Sequence, residues 1–208
     1  MFSDGDGEVA TRIARAAVDG DVRPPPILPD PPEALRAPGG VFVTLNTYPT
    51  RDLRGCIGFP EARYPLHEAL ILAAKAACED PRFPPLTPRE LDGVTVEVSL
   101  LSPPEDITAR NPRAYLGEVV VGRHGLMVSR GTLSGLLLPQ VPLEFGWDVE
   151  EYLAHACMKA GLMPDAWFED GIRVRRFTAD VFGEESPRGR VVRRRLGEGD
   201  AGRRGQGL

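Results

Sequence analysis

The segment VTVEVSLL, residues 94–101, alternates apolar and polar side chains over its length. A period of two belongs to a strand with one buried face, and it fixes which side chains turn inward. Val94, Val96, Val98 and Leu100 point one way, and Thr95, Glu97 and Ser99 the other. Two earlier segments, VFVTLN (41–46) and LRGCIGF (53–59), read as strands of the same kind. Between them TYPTRD, with Pro49 and Asp52, reads as a hairpin loop.

Helices and turns fill the rest. EVATRIARAAV (8–18) sets Val9, Ile13, Ala16 and Ala17 on one stripe and predicts a short amphipathic helix. RPPPILPDPPEALRAPGG cannot be helical for most of its length, because proline lacks the donor and fixes φ. It reads as an extended belt ending in a turn of helix at 32–36. PLHEALILAAKAACED (65–80) is a helix with proline at its first position and Pro81 past its end. Thr87, Pro88 and Glu90 form a capping box for a one-turn helix that stops at Gly93. Residues 118–140 read as a meander of three short strands turning at GRHG and SRGTLSG. Asp148 and Glu151 cap the helix VEEYLAHACMKA, which ends at Gly161. IRVRRFTADVF (172–182) is a last long strand whose alternation slips at Arg176–Phe177, predicting a bulge. Hairpin-linked strands beside helices give an α+β fold, an antiparallel-rich sheet flanked by helices, with a smaller β-meander lobe.

The 208 residues, 42% apolar and 26% charged, suit one domain or two small lobes sharing a core. No apolar run reaches the ~18 residues of a membrane helix. The acidic start MFSDGDGEVA is not a leader peptide, so the expected location is cytoplasmic. Three widely spaced cysteines fit reduced thiols. The net charge is −5. The stretch from Arg188 onward holds seven Arg against Glu198 and Asp200, or +5, which leaves about −10 on the body and makes nucleic acid an unlikely partner. That Arg- and Gly-rich stretch, 188–208, reads as a disordered tail. No P-loop, dinucleotide fingerprint or metal-ligand cluster is present, so no cofactor and no metal is expected. His67 and Cys78 share a helix face but lie about 16 Å apart along the axis, too far for one ion.

With the three apolar strand faces packed on a core, Thr44, Asn46, Arg54, Cys56, Glu97 and Ser99 are left on one side. Arg54 and Cys56, two residues apart, have Cα atoms about 7 Å apart, close enough for the arginine to favour a thiolate. Glu97, if adjacent, would pair with Arg54 and leave Cys56 mostly neutral. Gly55 and Gly58 each cost about 0.5–1 kcal/mol in a strand relative to alanine, a cost that makes sense where a backbone or ligand comes close. The alternative is that Cys56 is a small core residue. His124 sits in a hairpin turn, where it is either structural or part of a cleft rim. Asp80 binds the backbone of the following loop or pairs with Arg82. His155 flanks a helix, and Trp147 and Trp167 close the core.

LRGCIGFP, EDPRFPPLT, VEVSLLSPPE, GRHGL and SGLLLPQVPLEFGWD, in this order, resemble the motifs of the AMMECR-domain family. The resemblance runs from about Val9 to about Arg188. It implies an α+β fold of two lobes, with the hallmark motif Arg54–Gly58 near the cleft between them as a candidate site. Asp80, Arg82, Phe83 and Pro84 match the second motif, Glu97 and Ser99 the third, Gly122 and Gly125 the fourth, and Leu138 and Pro139 the fifth. Bacterial members are similar to AmmeMemoRadiSam system protein A, which occurs beside a Memo-like protein and a radical S-adenosylmethionine protein. The resemblance implies these as partners.

The expected domain spans 1–187, with the small lobe at about 113–145. One expected function is that of an enzyme or enzyme subunit acting on a small anionic metabolite, with Cys56, Arg54 and Glu97 catalytic. Asn46, Gly55, Gly58, Ser99, Asp80, Arg82 and His124 would contact the ligand. A non-catalytic adaptor using the same groove is the second expectation, and a purely structural motif the third.

Overall fold

Ser3 and Asp6 open the first helix reciprocally: Ser3 N donates to Asp6 Oδ2 at 2.9 Å, and Asp6 N to Ser3 Oγ at 3.1 Å. Two bonds satisfy donors that a helix start otherwise leaves open, so the helix begins earlier than its apolar stripe. In the computed structural model, which describes residues 1–22, 30–108 and 111–195, the chain runs through helices α1 (Asp4–Val22) and α2 (Glu33–Arg36), strands β1 (Gly40–Thr47) and β2 (Leu53–Phe59), helix α3 (Leu66–Cys78), strands β3 (Val94–Leu101) and β4 (Glu105–Asp106), and helix α4 (Tyr115–Glu118). Strands β5 (Gly125–Arg130) and β6 (Leu133–Leu137), helices α5 (Val141–Phe145) and α6 (Val149–Lys159), and strands β7 (Arg173–Phe177), β8 (Ala179–Glu184) and β9 (Val191–Arg194) follow. This is the expected α+β fold. Residues 23–29 of the proline-rich belt lie outside the described residues, and its expected turn of helix is α2.

Among the described residues, Met1–Leu101 with Asp180–Arg195 form one unit and Ser102–Ala179 a second. The first holds a five-stranded sheet in the order β2-β1-β3-β8-β9. β1 pairs antiparallel with both β2 and β3. One face is apolar: Val41, Val43, Leu45, Val96, Val98 and Leu100 are fully buried with Ala10, Ile13 and Val18 of α1 and Leu70, Ala73 and Ala74 of α3. Burying each Ile, Val or Leu contributes about 1.5–3 kcal/mol, so this layer dominates the unit's stability. Arg15 of α1 is buried against it and pairs with Glu184 of β8. The pair also binds backbone, Arg15 donating to Val94 O at 2.7 Å and Glu184 accepting from Val96 N at 3.0 Å.

The second unit has a four-stranded sheet, β4-β7-β5-β6, with Leu126, Val128, Tyr152, Leu153, Ala156 and Trp167 in its own core. Asp148 and Glu151 form the expected capping box of α6. This unit is larger than the 113–145 read from the sequence, because α6 and β7 belong to it. The meander has two strands, β5 and β6; residues ahead of β5 make a turn closed by His124 N donating to Val120 O at 2.9 Å.

Two further expectations change. The long last strand is two strands, parted at Thr178, just past Arg176–Phe177 where a bulge was expected: β7 pairs with β5 and β4, and β8 joins the first sheet. Thr178 N donates to Ser102 Oγ at 2.9 Å, and Ser102 N to Thr178 O at 2.9 Å, pinning the chain where it changes sheets. The stretch 188–208 is also not all tail. Val191–Arg194 pair with β8. Arg193 lies over the Phe182 ring at 4.5 Å and bonds Asp4 and Asp180, so charge that looked unplaced is neutralised by acidic partners. Residues from 196 on lie outside the described residues.

Candidate functional site

Each strand of the first sheet turns alternate residues away from the helices, and the register sets them in rows. Thr44 of β1 stands between Cys56 of β2 and Glu97 of β3. Phe42 stands between Gly58 and Ser99, and Asn46 faces Thr95. The three strands are thus neighbours in one sheet, as the facing argument required. Thr44 is 8% exposed, Asn46 1% and Ser99 3%, so this polar face is covered more deeply than an open surface. Cys56 is half-buried.

The sulfur accepts a hydrogen bond from Thr44 Oγ1 at 3.2 Å. Cys56 N donates to Asp80 Oδ2 at 2.8 Å, and Cys56 O accepts from Arg82 at 3.3 Å. Asp80 also takes Arg82 Nε at 3.1 Å and its terminal nitrogen at 2.7 Å. β2 is the sheet's edge, and this carboxylate occupies a backbone donor that an edge would leave open. The Arg82 hydrogen bond, with those from both backbones, holds the Asp80 carboxyl at about 2, well below its usual range, against its burial. Asp80 and Arg82 therefore fix the backbone of Cys56. The loop-binding and Arg82-pairing roles considered for Asp80 are both filled.

Arg54 does not pair with Glu97. Its Nε donates to Glu90 Oε1 at 2.8 Å and a terminal nitrogen to Pro85 O at 3.4 Å. The pairing of β1 and β2 shifts between Leu45 and Asn46, so that Asn46 faces Leu53 and Arg54 is the extra residue of a bulge. β1 also lies between Arg54 and Glu97, two strand spacings or about 10 Å. Glu90 accepts from Thr87 N at 2.9 Å, one half of the expected capping box, but Thr87 Oγ1 donates to the same carboxylate instead of capping a backbone N–H; the Arg54 bond holds the Glu90 carboxyl down at about 2. The Arg54 and Arg82 guanidiniums lie 5.9 and 5.7 Å from the Phe83 ring centroid. Residues 80–90 thus form an arch that clamps the outer edge of β2.

The two glycines have packing reasons. A Cβ on Gly55 would run into the Ala77 carbonyl oxygen at the end of α3, and one on Gly58 into the Phe42 ring. Gly55 also faces the helix side, away from the sulfur. The close approach expected at both positions is an approach of the protein to itself.

Glu97 is flanked by two arginines that sequence reasoning missed. Arg51 lies 3.8 Å away and Arg194 4.0 Å. Arg51 comes from the β1–β2 turn with φ 63, a left-handed conformation costly for a residue with a side chain. Arg194 comes from β9, where the pattern Val-Val-Arg-Arg was the one available signal. Gly183 of β8 lies between: a Cβ there would be 3.2 Å from Arg194 Nε and 3.3 Å from Glu97 Cγ. Both amide atoms of Asn46 and Arg194 Nε are buried with no hydrogen-bond partner among the described residues.

His124 belongs to the second unit and is 9% exposed. Its Nδ1 accepts from Val120 N at 3.1 Å, and burial and then the charges of Arg176 and Arg123 push its pKa down. It is a neutral turn-closing group. His67 Nδ1 lies 3.0 Å from Leu35 O. Trp167 is buried in the core, whereas Trp147 packs at its edge, stacked between Phe145 and His155. Among the described residues no group of three or more His, Cys, Asp or Glu side chains is placed to hold a metal ion, and no helix is long and apolar enough to cross a membrane.

Fold and site define a two-unit α+β protein with a half-buried cysteine held on the polar face of its larger sheet. The AMMECR1 family model matches residues 9–182, and the chain belongs to that family. A protein of Methanocaldococcus jannaschii is 50% identical over 92% of this chain and 96% of its own length. One of Thermococcus gammatolerans is 54% identical over 91% and 96%. A Pyrococcus horikoshii protein of known crystal structure superposes with a TM-score of 0.86 at 48% identity, covering 94% of this chain and 99% of its own.

Proposed function

We propose that the polar face of the first sheet binds a small anionic metabolite and presents it beside the Cys56 thiol. The observation that carries this is Asn46, a carboxamide 1% exposed whose oxygen and nitrogen both lack a hydrogen-bond partner among the described residues. A buried amide left unsatisfied costs about 1–3 kcal/mol per group, so a fold keeps one where something else completes it. Cys56 stands on the same face, its backbone fixed by Asp80 and Arg82 and its sulfur oriented by Thr44. A thiol so held can serve as nucleophile or hydrogen donor. Arg54 serves this reading as a brace for β2. Family membership extends the proposal to a Memo-like protein and a radical S-adenosylmethionine protein as partners. The adaptor reading uses the same groove without chemistry at Cys56.

Thiol labelling at neutral pH tests the proposal, with internal controls. Cys78 and Cys157 are buried, and burial pushes their thiols up to about 12 and about 11. Labelling is expected at Cys56 alone, and one metabolite fraction is expected to slow it. If no fraction changes the Cys56 rate, the ligand reading falls. If a fraction protects Cys56 but Cys56→Ser keeps full activity in the reconstituted three-protein system, the adaptor reading replaces catalysis.

A further inference from the structure

Among the described residues, three of the four sheet edges are guarded against further pairing. At β2, Asp80 accepts from Cys56 N and Arg82 donates to Cys56 O. β9 carries Arg193 and Arg194, and β4 consists of Glu105 and Asp106. Charge on an edge strand, or a side chain bonded to its backbone, is how folded proteins keep an edge from meeting another strand. β6 is the fourth edge and has none of these guards. Leu133–Leu137 holds no charge and no proline, and its register against β5 has no bulge. The first charged residues on either side of it in sequence are Arg130 and Glu144.

The hairpin fixes which backbone groups of β6 point outward. Gly131, at φ 59, and Thr132 make a two-residue turn between β5 and β6. Such a turn closes on a hydrogen-bonded pair, here Arg130 and Leu133, and bonded pairs recur at every second residue. Leu133, Gly135 and Leu137 therefore bond to β5, while the N–H and C=O of Ser134 and Leu136 point away from the sheet. No strand of the described residues lies beyond them. Ser134 is exposed, Leu136 is half-buried, and Leu133 is 45% exposed. This edge is open in space as well as unguarded in sequence.

We propose that β6 pairs antiparallel with β6 of a second copy of this chain, joining two four-stranded sheets across a two-fold axis. The strand is its own complement. With Gly135 facing Gly135 of the partner subunit, Ser134 meets Leu136 and Leu136 meets Ser134, and all the outward groups bond. Leu133 then lies beside Leu137 of the partner subunit, which covers an exposed leucine with an apolar side chain. A two-fold axis sets a strand against itself, so charge on β6 would meet like charge; its absence removes that cost. Gly135 stands at the axis, where a Cβ would run into the backbone of Lys159 and Ala160 at the end of α6. Lys159 is exposed and carries its charge out to solvent. Two strands of five residues bury less than the ~1,200 Å² of a standard interface, so the pairing is reversible and depends on concentration. The surface belongs to the second unit and is independent of the ligand reading.

Sedimentation equilibrium of the full-length protein tests the pairing. A monomer–dimer equilibrium is expected between about 1 and 200 μM, the range of a small interface. Ser134→Pro removes an outward N–H that β5 does not use, which an edge strand tolerates. Leu136→Lys adds the kind of guard the other edges carry. Each is expected to weaken the dimer at least ~10-fold. Hydrogen exchange at the Ser134 and Leu136 amides is expected to slow as the dimer fills. Added salt is expected to keep or tighten the dimer, because no ion pair forms it. Urea midpoints at low concentration, followed by tryptophan fluorescence, show whether each variant folds. Where Ser134→Pro does not fold, Leu136→Lys decides, and where neither does, exchange in the unsubstituted protein decides. A monomer throughout, a dimer unweakened in the folded variants, or a dimer that dissolves in salt overturns the proposal. Dimerisation that leaves the two amides exchanging freely, or amides already slow in the monomer, overturns it as well.

Discussion

Asp80 joins three polar groups to the neighbourhood of one sulfur, and its energetics follow from its charge. Its carboxyl titrates at about 2 in the folded chain and near 3.9 in an unfolded one. A depressed folded pKa stabilises the fold above the unfolded value, and that stability is lost as pH falls through the folded value. The contribution, about 2 kcal/mol, is therefore full above roughly pH 5 and fades towards pH 2. Asp80→Asn is expected to lower neutral-pH stability by about 2–3 kcal/mol and to flatten acid sensitivity in this window, measured as urea midpoints against pH. Parallel acid profiles for the two proteins would contradict this role. Glu90, held down in the same range by Arg54, titrates over the same window. At this scale the alternation of three segments was enough to place Thr44, Asn46, Cys56, Glu97 and Ser99 on one face. It misplaced Arg54, because a bulge adds one residue to β2 and leaves no mark in the hydrophobic pattern. It could not find Arg51 or Arg194, whose side chains reach the face from a turn and from a strand distant in sequence.

β9 shows how an element can hide from composition. Arg190–Arg195 reads as a basic tail, yet Val191 packs on the first core and Arg193 on Phe182, with Asp4 and Asp180 as ion partners. Its strand character depends on acidic groups far along the chain. Burial of a valine and one cation–π contact predict that a protein ending at Arg190 is about 2–3 kcal/mol less stable than one ending at Arg195. Far-UV circular dichroism during urea unfolding measures the difference, and equal midpoints would show that β9 adds nothing. The same truncation removes Arg194 from beside Glu97. The split of the last strand at Thr178 is similar: the slip in alternation was visible, but that it marks a change of sheet follows only from the two Ser102–Thr178 bonds.

Two cores divide the molecule, one under the five-stranded sheet and one around Tyr152. Both tryptophans, Trp147 and Trp167, belong to the second unit, so their fluorescence reports on that unit. The Tyr152 hydroxyl donates towards three carbonyl oxygens, of His124 at 3.2 Å, Leu137 at 3.0 Å and Leu138 at 3.2 Å. Tyr152→Phe leaves these without that donor and is expected to cost about 1–3 kcal/mol, read as a lower fluorescence midpoint. An unchanged midpoint would mean other donors replace it.

The order of helices and strands, their buried faces, the α+β class and the family motifs came from local chemistry: periodicity, capping boxes and proline placement act within a few residues, so the chain states them directly. The partners of Arg54, the sheet change at Thr178, the strand at Val191–Arg194 and the meeting of Arg51, Glu97 and Arg194 were decided only when distant segments packed. Long charged side chains take whichever partner the assembled backbone brings within reach, and local spacing carries no record of that choice.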